Sequence, residues 1–232
     1  MKTRIIFASV ATFISFLMAG ASQEGGRKKD AGQPPMPIYV TPFYDSNGLK
    51  VAVGEHSKRL ASADSKTILQ VSEELKKEKD KLRADVMYVA AIRLYDLGHK
   101  DEAVYWFYTA QYRARVFNSI LDKEKIGSIG SEAFELKQAY LSFNQLAGEY
   151  INGYAFGELP KLEKTLLKVV EEGKSAPKYG DIYPKVKFAP EESWAEKNKE
   201  VSKGLSGLIE FIKTNADSIK EQRKKNGIEG KY

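Results

Sequence analysis

The chain of 232 residues contains no cysteine. That excludes a disulfide framework, a thiolate metal site, a cysteine nucleophile and a lipid-modified N-terminal cysteine. Histidine is nearly as scarce, with two in the chain. His56 and His99 lie far apart and lack any paired ligand spacing, so no metal site is expected. Neither G-x-S-x-G nor a phosphate-cradling loop occurs. The segment Gly127-Ser128-Ile129-Gly130-Ser131 is rich in glycine but lacks the lysine such a loop needs, and reads as a connection between helices. No catalytic residue and no cofactor is indicated. A large excess of one charge is also missing, since Lys+Arg 37 stand against Asp+Glu 31. The lysines sit among acids, as in residues 73–81, which reads as a solvated helix face. No nucleic acid partner is expected.

Long apolar runs are lacking except at the start. Lys2 and Arg4 precede the run Ile5 to Met18, and Ala19-Gly20-Ala21 follows it as a small-x-small cleavage pattern. Residues 1–21 are expected to be a signal peptide cut before Ser22. The run is shorter than the about 20 apolar residues a membrane span requires. The mature chain is then expected in the periplasm or secreted, with no integral membrane segment. Residues 22–37, with Gly25-Gly26, Arg27-Lys28-Lys29 and Pro34-Pro35, read as a flexible leader.

What remains has ordinary globular composition, 42% hydrophobic and 11% aromatic, enough to form a core. Residues 38–226 are expected to form a single mainly helical domain. Its N-terminal β-hairpin spans residues 38–53, with the turn at Asp45-Ser46-Asn47-Gly48. Helices are expected from Ser65 as a cap, from Leu82 to Leu97, from Asp101 to Leu121, from Ser131 to about Ile151, and from Pro160 to Gly173. The aromatic stretch 174–190 reads as an ordered extended crossing. A last helix is expected from Glu191 to about Lys225, weakened at Gly204 and Gly207, which could mark a kink or a close crossing.

The segment from Leu82 to Leu121 carries the most specific pattern. Met87, Ala90, Ala91 and Leu94 form a stripe on its first helix. Ala103, Phe107, Ala110, Ala114, Phe117 and Leu121 form the matching stripe on its second. With Gly98-His99 as the turn and Ala103 and Phe107 as A-x-x-x-F, this segment resembles a tetratricopeptide-type helical hairpin. Arg115 stands where that family usually has proline, and no second copy follows at the family's period of about 34 residues. The resemblance implies partner binding on the surface lined by the first helix. In this chain that surface is Asp85, Tyr88, Ile92, Tyr95 and Asp96, with Tyr105, Tyr108 and Tyr112 as a fallback face. The aromatics of the second helix allow two readings: a central helix packed on both sides, or a tyrosine-rich docking face.

Three classes of function are compatible with these residues. The first is an exported all-α binding protein engaging a protein or peptide partner, with an immunity or inhibitor protein against a secreted toxin as a specific version. The second is a periplasmic hydrolase of cell-wall or glycan substrates. The third is a structural or chaperone-like envelope component.

Overall fold

A computed structural model describes residues 36–37 and 50–232. The expected signal peptide, almost all of the leader, and the expected first strand and turn of the hairpin lie outside the described residues. Within them, β structure is a short antiparallel ladder. Strand β1 (Met36–Pro37) pairs with β2 (Lys50–Val51), Met36 opposite Val51 and Pro37 opposite Lys50.

The rest is mainly helical. In chain order the helices are α1 (Ser57–Leu60), α2 (Ser65–Lys77), α3 (Ala84–Asp96), α4 (Lys100–Ile120), α5 (Glu132–Ala155), α6 (Leu159–Gly173), α7 (Tyr179–Ile182), α8 (Trp194–Thr214) and α9 (Ala216–Lys225). No helix among the described residues is long and apolar enough to cross a membrane.

Helix α4 is the axis of the core. It packs against α3, α5, α6 and α8. Its apolar and aromatic residues point nearly all round, and Val104, Tyr105, Trp106, Phe107 and Tyr108 are all buried in succession. A helix of that composition needs cover on nearly every side, and along most of its length it has it. Of the two readings of its aromatics, the centrally packed one is observed. The small residues Ala90 and Ala91 on α3 and Ala103, Ala110 and Ala114 on α4 are also buried, and they let the two helices approach closely. The turn between them is closed by Gly98 at φ +86. The His99 N–H donates to the Leu94 carbonyl at 2.8 Å and the Gly98 N–H to the Tyr95 carbonyl at 3.0 Å, so the last carbonyls of α3 are satisfied.

Several boundaries differ from the sequence reading, each for a local reason. The cap of α2 is Asp64, whose carboxylate accepts from the Thr67 N–H at 2.6 Å; Ser65 is the first helical residue. Ser131 does precede α5, but its hydroxyl donates to the Ile126 carbonyl at 2.6 Å and so does not cap by side chain. The expected last helix is two helices. The break falls at Asn215, whose backbone and side-chain N–H groups both donate to the Phe211 carbonyl. Gly204 and Gly207 lie inside a continuous α8 with open space around them, so neither marks a close crossing.

The aromatic stretch 174–190 is ordered, as its composition implied, and contains the short helix α7. Phe188 bridges to Leu121 in a single antiparallel pair, and the Ala189 N–H donates to the Ile120 carbonyl at 2.8 Å. Tyr179, Tyr183 and Phe188 gather against Phe117 and Trp194. Tyr183 also does the work of a cap: its hydroxyl accepts the Ala84 N–H at 3.1 Å, the first free donor of α3, and receives the Tyr140 hydroxyl at 3.0 Å.

Candidate functional site

The face expected to bind a partner is not a surface. Tyr88 and Ile92 are fully buried and Tyr95 is nearly so. Helix α5 covers α3 here. The Tyr88 ring stacks on Phe143 at 5.5 Å, and its hydroxyl accepts from Asn144 at 2.7 Å. Asp85 is largely buried against Arg83, with Nη2 2.8 Å from Oδ2. Asp96 faces Arg93 at 3.5 Å. Arg93 in turn donates to the carbonyls of Leu60 and Ser62 at 3.1 and 2.8 Å, tying the end of α1 to α3. The physical reason is distance in sequence. The cover comes from Tyr140, Phe143 and Asn144, about 50 residues downstream, beyond the reach of any local pattern in α3.

The fallback tyrosines are core as well. Tyr108 donates to Asn152 at 2.9 Å, and Tyr112 to the Asn198 side chain at 3.0 Å. Tyr112 lies over Gly173, where any Cβ would come within 2.5 Å of its ring. Tyr105 differs. It is packed against the protein on most sides, yet it forms the floor of an open groove of about 420 Å³.

The groove is built from three helix ends. The first two turns of α4 supply Asp101, Glu102, Val104 and Tyr105; the last turn of α5 supplies Tyr154 and Ala155; and Glu158 lies just before α6. Helix α6 forms the far wall with Lys161, Leu162, Lys164, Thr165 and Lys168. The lysines fall on one side of α6 because its other side, Leu162, Leu166 and Val169, is buried against the core.

Its electrostatics are paired on one wall and open on the other. The Tyr154 hydroxyl donates to Asp101 at 2.7 Å and Lys161 sits 3.1 Å from the same carboxylate. These contacts, the hydroxyl first, hold the Asp101 carboxyl below the usual range, while burial and Asp101 push the Tyr154 phenol up to about 12. Glu102 pairs with Lys76 at 2.6 Å and accepts from Ser72 at 2.7 Å; Ser72 also accepts from the Trp106 indole at 2.7 Å. Burial works against the charge of Lys76, but Glu102 and Glu73 outweigh it and raise its pKa. The Tyr105 hydroxyl donates to Glu172 at 2.8 Å, and burial together with that carboxylate raises its pKa. Lys79 meets the same Glu172 at 2.6 Å. Lys168 stands 4.2 Å above the Tyr105 ring centroid. At neutral pH Asp101 is thus ionised, Lys76 is charged, and Tyr105 and Tyr154 are protonated. None of these groups is poised to exchange a proton.

Of the two histidines, His99 has a structural role. His99 Nε2 lies 2.7 Å from Ser65 Oγ and 2.9 Å from the Ser65 carbonyl, fastening the α3–α4 turn to the start of α2. His56 lies beside Glu55 at 3.8 Å. Among the described residues no three histidine, aspartate or glutamate side chains gather as metal ligands would.

The sequence reading missed this groove. A trace of it was present, in Lys161, Lys164 and Lys168 recurring at three and four residues, but such a row reads as an ordinary solvated face. The facing wall begins at Asp101, 60 residues earlier, and no local pattern joins the two.

No family model and no solved structure matches the chain. It is similar to a protein of Haemophilus influenzae described as uncharacterized, with 29% identity over 128 residues. That similarity covers 53% of this chain and 47% of the relative, so the chain spans about half the length of the relative it matches.

Proposed function

We propose that this chain is an exported helical binding protein whose polypeptide partner sits in the groove over Tyr105. The supporting observation is the groove itself: about 420 Å³ of open space, an aromatic floor, and a row of lysines on one wall. It rests on α4, which is packed against α3, α5, α6 and α8, so its shape is set before a partner arrives. The basic start, apolar run and small-x-small site at residues 2–21 support export to the periplasm or beyond. An immunity or inhibitor protein against a secreted toxin is the specific form of this reading that fits an exported binding domain. A glycan hydrolase would need a carboxyl group raised toward neutrality as its acid, and Asp101 in this groove is shifted the other way.

Two measurements test the reading together. Fractionation and intact mass of the native protein should find it outside the cytoplasm and beginning at Ser22. A photoreactive residue at position Thr165, in the groove, should crosslink one stoichiometric polypeptide in living cells, while the same residue at the exposed Leu141 should not. Equal yields from both positions, or none from Thr165, would sink the proposal.

A further inference from the structure

The two walls of the groove differ in what their charges already touch. Asp101 and Glu102 already have partners within the chain, the exposed Asp101 in Tyr154 and Lys161 and the half-buried Glu102 in Ser72 and Lys76. On α6 the situation is the reverse. Lys164 is exposed and makes no ion pair among the described residues. Lys168 reaches a carboxylate only at 3.9 Å, on Glu172, and rests on the Tyr105 ring. Two ammonium groups therefore face the groove with donor capacity to spare. Their spacing carries further information. Four residues of helix rise about 6 Å, and side chains two apart on an extended chain point the same way at about 6.6 Å. Carboxylates separated by one residue on an extended segment would meet Lys164 and Lys168 together, well within the reach of two flexible lysines. Within one Debye length their fields add. Glu158, exposed at the α6 N-terminal end of the groove, opposes further acid there and sets where the acidic run must stop.

Resting on the function proposed above, we infer that the partner presents an extended acidic segment to α6, with two carboxylates one residue apart engaging Lys164 and Lys168. The test uses the full chain and a fluorescein-labelled peptide of alternating glutamate and alanine, titrated by anisotropy at low salt. Saturable binding is expected, weakened about tenfold or more by combining Lys164→Glu with Lys168→Glu, and little changed by Lys137→Glu on α5. The melting temperature of the double variant should fall only slightly, because both lysines are exposed and the losses are confined to the contacts of Lys168 with the Tyr105 ring and Glu172. The matching lysine–alanine peptide should not bind. Failure of the glutamate peptide to bind, binding that survives the double reversal, or heparin binding through these lysines where the peptide does not, would each overturn the inference. If the Thr165 crosslink forms while the peptide fails, the binding reading stands and the acidic-segment inference falls. If the peptide binds and the crosslink never forms, the binding reading falls.

Discussion

Single residues here do long-range work that their types do not announce. Arg93 sits inside the fold with its guanidinium on the carbonyls of Leu60 and Ser62 and beside Asp96. Arg93→Met should cost about 2–4 kcal/mol in urea unfolding, because it strips the guanidinium from two carbonyls and a buried carboxylate. Arg93→Lys should recover little, since an ammonium cannot span both carbonyls as the planar fork does. Asp101 offers a test by pH. Its folded pKa is depressed, first by Tyr154 and then by Lys161. Such a group contributes stability that is fully present above its unfolded value of about 3.9 and is lost as pH falls through the lower folded value. Asp101→Asn should therefore lower the melting temperature at neutral pH, and the gap should shrink as the pH falls below that unfolded value. The gap will be small at any pH, because the carboxylate is solvent-exposed.

At the scale of elements, two glycines separate backbone strain from packing. Gly98 closes α3 at φ +86 with nothing near the position of a Cβ. Gly98→Ala should cost about 1 kcal/mol, from the left-handed backbone alone. Gly173 ends α6 beneath the Tyr112 ring, with a Cβ clash at 2.5 Å. That ring is buried and its hydroxyl is held by Gly173 and Asn198, so it cannot swing aside cheaply. Gly173→Ala should cost about 1–3 kcal/mol through overpacking, and Tyr112→Phe should not relieve it, since the ring itself stays in place. Calorimetry on the three variants decides this. The α3 face obeys the same logic. Tyr88→Ala should destabilise by about 3–5 kcal/mol, as expected of a large core aromatic and not of a docking residue.

For the whole molecule, the arrangement around α4 predicts a gradient of stability. Amide hydrogen exchange should be slowest in α4, which is covered by α3, α5, α6 and α8, and fastest in α9, which has no buried residue. Phe107→Ala at the centre should cost about 3–5 kcal/mol and raise exchange in α3 and α5 together. Exchange confined to one neighbour would show that α4 does not couple them.

The residues alone determined the fold class, the α3–α4 hairpin, the glycine turn at Gly98 and the burial of Phe107, because each follows from periods of three and four residues or from a local turn. They also marked the aromatic crossing at 174–190 as ordered, since Tyr179, Tyr183 and Phe188 together demand burial. Which of the buried tyrosines border a groove was settled elsewhere. Tyr88 and Tyr105 sit on neighbouring helices and look alike in sequence. One is sealed by Phe143 and Asn144 of α5, while the other floors a groove because α5 ends and α6 begins beside it. Exposure belongs to a pair of surfaces, and the second surface comes from a part of the chain that the first cannot specify. Tertiary packing alone therefore decided where the open groove lies, and which lysines of α6 line it without a close ion pair.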